Sequence, residues 1–152
     1  MVFGKGVVMS DGREKQPTIF LIEEDDETRR PLVSNLRGYG YRVVVAVDEE
    51  EALERAGGIK ADLLLVNLVG KTADEVLRVG RRVRQHSTYN GRTSLVVMPE
   101  KYDKALEDTE VNVGGSEWVF LPRRGARPSA RPSRPPYRMR TLPMACLCMV
   151  SL

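Results

Sequence analysis

The chain has 152 residues, of which 41% are hydrophobic and 30% are charged. This length allows one ordinary α/β domain, and this composition excludes a chain that is disordered throughout. No run approaches the roughly 18 consecutive apolar residues that a membrane-spanning helix needs, so we expect a cytoplasmic protein without a membrane segment.

Charge divides the chain into three parts. Residues 1–16 are short and mixed in charge, and we expect a flexible leader there. Residues 17–122 hold 14 basic and 19 acidic side chains, whereas residues 123–152 hold seven arginines and no acidic side chain. The middle part is therefore the predicted domain, and the arginine- and proline-rich end is a predicted disordered tail. The net charge of +3 arises because the basic tail outweighs the acidic domain. It therefore gives no reason to expect that the domain itself binds nucleic acid.

Within the domain, short apolar runs alternate with helical periodicities, which is the pattern of strands buried on both faces and joined by crossover helices. Strands are predicted at 18–22, 42–47, 62–66, 94–98 and 117–121. Helices are predicted at 27–36, 49–56 and 73–84, with a weaker fourth at 101–107. This order predicts a three-layer, doubly wound sheet of five parallel strands, with its site at the carboxyl ends of the strands.

Four segments resemble the receiver domain of bacterial two-component response regulators. Segment 20–26 reads FLIEEDD, similar to the family's first strand with its terminal acidic pair, and segment 40–46 reads GYRVVVA, similar to its second. Segment 62–68 reads DLLLVNL and matches the third strand, and segment 114–122 reads GGSEWVFLP and resembles the last strand with its proline. The resemblance covers nearly all of 18–122 and implies a flavodoxin-like, CheY-like sheet with strand order 2-1-3-4-5.

The resemblance also implies where the family's phosphorylation site falls. The aspartate that takes the phosphoryl group is replaced by Asn67, and Glu24 and Asp25 correspond to the acidic pair that helps to hold Mg²⁺. A carboxamide oxygen is a poor nucleophile without charge, so we expect no acyl phosphate at Asn67. We expect no cofactor, with Mg²⁺ bound weakly at most through Glu24 and Asp25. Phosphorylation of Asp25 or Asp26 instead is an open alternative.

The positions that read out phosphorylation also differ from the family. The lysine that contacts the phosphoryl group is replaced by Leu121, which removes a cation. The hydroxyl residue at the end of strand four is replaced by Pro99, or by Met98 if the register slips by one residue. Trp118 occupies the position of an aromatic residue that often reports activation, and it is equally well explained as a packing residue.

These replacements predict a degenerate receiver that is not an enzyme and that binds signalling proteins. The expected partners are a histidine kinase, an output protein, another receiver, or a second copy through the face of helix four and the last strand. A full receiver closes with a fifth helix, which the prolines of 123–136 forbid.

Two other functions remain open at this stage. One is a nucleic-acid-associated accessory protein that uses the arginine-rich tail, although that tail also reads as translation in a shifted frame. The other is a small nucleotide-binding α/β protein. Segment 70–72 reads GKT, like the end of a Walker A loop, but Leu65 stands where that motif needs its first glycine.

Overall fold

The computed structural model describes residues 16–87, 93–101, 103–106 and 109–121. Nearly all of the predicted leader and the whole predicted tail lie outside the described residues, and so does the position where a fifth helix would begin. The predicted boundaries of these segments stay predictions.

Six strands form a single sheet in the order β2-β1-β3-β4-β6-β5. Their bounds are β1 (Thr18–Glu23), β2 (Arg42–Ala46), β3 (Leu63–Thr72), β4 (Ser94–Lys101), β5 (Thr109–Gly114) and β6 (Glu117–Leu121). The first five positions of this order are parallel and reproduce the predicted order 2-1-3-4-5. The predicted fold class, a doubly wound parallel sheet of the CheY type, is confirmed.

Three helices cover the sheet on its two faces. They are α1 (Asp26–Gly38), α2 (Glu49–Ala56) and α3 (Ala73–His86). Helix α1 packs its buried leucines on one face, in a core with Leu21 and Leu65. Helices α2 and α3 pack on the other face, in a core with Ile22 and Val66. Alternate residues of each strand therefore enter opposite cores, as the near-continuous apolar runs predict. No helix in the described ranges has the length and apolar content to span a bilayer.

The end of the sheet differs from the sequence-based expectation. The predicted helix at 101–107 is wrong, because only one 3-10 turn, Lys104–Leu106, forms there among the described residues. Strand β5 follows and pairs antiparallel with β6 through a turn at Gly114 and Gly115, whose φ angles are 134° and 53°. The reason is local: the β-branched Val111 and Val113 favour a strand, and the two glycines allow the turn's positive φ angles. The predicted surface of helix four and the last strand is therefore a β-hairpin.

Candidate functional site

Three residues of neighbouring parallel strands form one row at the level where β1 ends, and two of them, Asn67 and Met98, were predicted site residues. Glu23 at the end of β1 lies opposite Asn67 of β3, and Asn67 lies opposite Met98 of β4. The site therefore crosses the middle of the sheet, beside the point where the chain changes direction between β1 and β3.

Glu23 is the buried acidic group of this site, with 1% of its surface exposed. Its carboxylate accepts hydrogen bonds from the Nδ2 group of Asn67 and from the backbone N–H of Asp25, the latter at 3.0 Å. Burial raises the pKa of Glu23 to about 7, although both hydrogen bonds act in the opposite direction. The two protonation states of Glu23 are therefore close in free energy near neutral pH.

The acidic pair selected from the sequence takes other positions. Asp25 is the N-cap of α1, and its carboxylate accepts from the backbone N–H of Thr28 at 3.0 Å and from its hydroxyl. These hydrogen bonds lower the pKa of Asp25. Glu24 is exposed. Asp25 thus serves the start of the helix, and the carboxyl group next to Asn67 belongs to Glu23, which the sequence interpretation passed over.

Two features of the sequence could have identified Glu23. Residues 19, 21 and 23 share one face of β1, so a register that aligns Ile19 with Leu63 also aligns Glu23 with Asn67. Aspartate is a favoured N-cap residue, and the acidic Asp26 and Glu27 that follow Asp25 are typical of a first helical turn. Together they end the strand one residue later than predicted, at Glu23.

Arg29 is the cation that contacts this edge of the site. Its guanidinium donates to the backbone carbonyl of Glu23 at 3.0 Å and forms an ion pair with Asp26. Asp26 also pairs with Arg30 at 2.9 Å. The carboxylate of Asp26 is therefore shared between two arginines.

The carboxylate oxygens at this edge of the sheet do not fit a magnesium site. Mg²⁺ requires near-ideal octahedral geometry and oxygen ligands that are free to bind it. Here Glu23 is hydrogen-bonded to an amide and titrates near neutral pH, and Asp25 is occupied by Thr28. Among the described residues, no three side chains of His, Cys, Asp or Glu come together in a metal-binding group.

The remaining predicted positions present apolar groups. Met98 is buried in the core on the α1 side, and Pro99 lies opposite Leu68 on β3. Leu121 is buried in the core on the α2 and α3 side. None of Met98, Pro99 and Leu121 offers a hydroxyl or an ammonium group. Trp118 is half-buried on β6, next to the core on the α1 side.

Strands β3 and β4 continue beyond Asn67 and Met98. Thr72 lies opposite Lys101, and the backbone N–H of Gly70 donates to the carboxylate of Glu100. Thr72 caps α3 through a reciprocal pair of hydrogen bonds with Glu75. Segment 70–72, which looked like the end of a phosphate-binding loop, is therefore the end of a strand and a helix cap.

Comparison with known proteins gives one similar sequence and several similar structures. No family model matches this chain. The chain is 27% identical over 104 residues to the alkaline phosphatase synthesis transcriptional regulatory protein PhoP of Bacillus subtilis (strain 168). The match covers 68% of this chain but only 42% of PhoP, so it spans less than half of that relative.

Two solved structures share the fold. A response regulator from Thermotoga maritima has a TM-score of 0.52 and 24% identity, covering 74% of this chain and 87% of that one. The N-terminal domain of a response regulator/sensory box/GGDEF 3-domain protein from Carboxydothermus hydrogenoformans has a TM-score of 0.51 and 20% identity, covering 72% and 83%. At these identities the comparison establishes a likeness of fold.

Proposed function

We propose that this chain, whose described domain has the fold of a response-regulator receiver, is a module of two-component phosphorelay signalling that takes no phosphoryl group. It acts by binding other proteins, and it catalyses no reaction. The partners we propose are a histidine kinase, an output protein or another receiver. The cytoplasmic location expected from the sequence is part of this proposal.

One observation carries the proposal. The side chain of β3 that lies opposite the end of β1 is the carboxamide of Asn67, and it donates a hydrogen bond to the buried carboxyl group of Glu23. A phosphoryl acceptor at this position would need a free carboxylate, and a carboxamide is not a nucleophile of that kind. The contact between Asn67 and Glu23 supports a site that is closed by an internal hydrogen bond.

The surroundings of Asn67 support the same proposal. A phosphoryl group carries charge close to −2 at neutral pH, and a buried charge needs cations or hydrogen-bond donors around it. Met98 within β4 and Leu121 at the end of β6 are buried apolar residues. Arg29, the nearby cation, already pairs with Asp26. Neither alternative acceptor is free, since Asp25 caps α1 and Asp26 binds two arginines.

The proposal is tested by incubating the full chain with acetyl phosphate and Mg²⁺ and measuring its intact mass. We expect no gain of the roughly 80 Da that one phosphoryl group adds. We also expect no Mg²⁺-dependent change in the fluorescence of Trp118, the single tryptophan of the chain. A protein already shown to accept a phosphoryl group from acetyl phosphate, treated in parallel, controls for the activity of the phosphodonor.

A second arm tests the binding role. Calorimetric titration with histidine kinase phosphotransfer domains and with other receivers is expected to give at least one complex whose affinity is the same with and without acetyl phosphate. A stable mass gain, mapped to Asp25, Asp26 or another aspartate, would refute a phosphorylation-independent module. Binding that appears only after phosphodonor treatment would refute it as well.

A further inference from the structure

The sheet has two edge strands, β2 and β5, which differ in the side chains that surround them. At the β2 edge, side chains of α2 engage the backbone. The guanidinium of Arg55 donates to the carbonyl of Val45, and the N–H of Val47 donates to the carboxylate of Glu51 at 2.8 Å. Arg42 adds an exposed charge at the start of β2. Charged side chains at an edge strand oppose pairing with another chain.

The β5 edge lacks this protection. Strand β5 pairs with β6 on one side, and no strand of the described ranges pairs with its other side. The strand reads TEVNVG, without lysine, arginine or proline, and Val111 is 49% exposed. Its one charged residue, Glu110, is half-buried opposite Phe120. An open edge of low charge is a template for pairing with a further strand.

We propose that a second copy of this chain pairs with β5, strand against strand, so that two six-stranded sheets join into one. The pairing is antiparallel about a two-fold axis at Val111. This inference is separate from the proposed function, because phosphorylation does not enter it.

The register follows from the side chains. Residues opposite each other in an antiparallel pair have side chains on the same face of the sheet, and neighbouring residues of one strand do not. The two-fold axis must therefore be centred on a residue of β5 and not between two residues. Centring the axis on Glu110 would place two carboxyl groups opposite each other, which destabilises the pair. Centring it on Asn112 would require Val113 in the pairing, where the ladder with β6 is already irregular. Centring it on Val111 pairs two valines and sets each Glu110 opposite Asn112.

The contrast between the two edges favours a second copy arranged as a closed pair. A β5 strand that met the β2 edge of another copy would build an open chain of molecules, but Arg42 and the α2 side chains oppose that contact. Pairing of β5 with itself uses both copies of the open edge and leaves none free, which closes the assembly.

The contact is small. Strand β5 has six residues, and a six-residue ladder buries less than the ~800 Å² per partner that is typical of stable complexes. We therefore expect a dimer that dissociates on dilution to micromolar concentration or below.

The test measures the mass of the full chain in solution against concentration. We expect a rise from the monomer mass of 17.1 kDa toward twice that value. Val111→Lys places two like charges at the axis, and we expect it to remain a monomer at every concentration. Val47→Lys is the matched control, because Val47 is similarly exposed, at 43%, and follows β2. Circular dichroism and Trp118 fluorescence verify that both variants are folded.

Cross-linking tests the register. With both native cysteines, Cys146 and Cys148, changed to serine, Val111→Cys should give a disulfide-linked or bismaleimide-linked dimer, and Val47→Cys should not. A monomer at all concentrations would overturn the proposal, and so would a dimer that Val111→Lys leaves intact. A last outcome concerns Val111→Cys with the native cysteines present. If a monomer formed an internal cross-link from position 111 to Cys146 or Cys148, the segment beside β5 would belong to the same chain. That result would likewise overturn the proposal.

Discussion

The buried carboxyl group of Glu23 makes a quantitative prediction for the variant Glu23→Gln. Burial raises the pKa of Glu23 from its ordinary value of 4.5 to about 7. The folded state therefore keeps a proton that the unfolded chain loses as the pH rises above 4.5. The stability that this proton provides is fully present below pH 4.5 and is lost as the pH rises through 7.

The size of this loss follows from the pKa difference. One pKa unit corresponds to 1.36 kcal/mol, so a rise from 4.5 to about 7 corresponds to about 3 kcal/mol of unfolding free energy. Glutamine has the same shape and cannot ionise. Its carbonyl can accept from the N–H of Asp25, and its amide can donate to Asn67 once the Asn67 carboxamide turns its oxygen inward. We expect Glu23→Gln to retain at pH 8 the stability that the parent protein has lost.

Urea unfolding at pH 5 and pH 8 measures the effect. We expect the two proteins to differ by less than about 1 kcal/mol at pH 5, and the glutamine variant to be more stable by about 2–3 kcal/mol at pH 8. Carboxyl groups whose pKa is lowered, such as Glu75 and Glu117, titrate in both proteins and cancel in the difference. Equal stabilities at pH 8, or a gap that does not change with pH, would refute the argument that Glu23 is buried and titrates near neutrality.

Two further variants test the site and the core. Asn67→Asp should place a second carboxyl group against Glu23 and reduce stability more at pH 8 than at pH 5, without gaining a phosphodonor-dependent change in Trp118 fluorescence; a full response would show that the phosphoryl group needs no lysine here. Gly80→Ala should destabilise by about 1–3 kcal/mol, because a Cβ atom there would lie 2.6 Å from a methyl carbon of Leu95. Gly57→Ala, whose Cβ would meet nothing closer than 3.9 Å, is the control for Gly80→Ala in urea unfolding and should stay within about 0.5 kcal/mol of the parent protein.

The sequence predicted the part of the fold in which local pattern and packing agree. Strands β1, β3 and β4 are buried on both faces, so their apolar runs are nearly continuous and can be located from composition alone. The hairpin of β5 and β6 was missed for the opposite reason. Strand β5 is exposed over most of its length, so its sequence shows little of the apolar pattern that a buried strand has. In addition, the few helix-forming residues at 101–107 were given more weight than the glycine pair that makes the turn.

The site was predicted less completely than the fold, because its residues depend on register and on helix capping. Strand β3 was predicted to end at residue 66 but continues to Thr72, so the apolar run did not mark the end of the strand, only the position of Asn67. The carboxyl group that contacts it could be chosen only by knowing which residue of 23–25 lies opposite Asn67 and which one caps α1. The first fact depends on long-range strand pairing, and in the structure Glu23 lies opposite Asn67. The second fact is local, and in the structure Asp25 caps α1.

The amide of Asn67 and the burial of Glu23 are compatible for one physical reason. Two carboxyl groups that faced each other at positions 23 and 67 of β1 and β3 would repel each other unless a cation lay between them. A carboxamide removes one of the charges, and it can either donate to an ionised Glu23 or accept from a protonated one. The amide of Asn67 thus lets the buried Glu23 keep its hydrogen bond in either protonation state, without a metal ion.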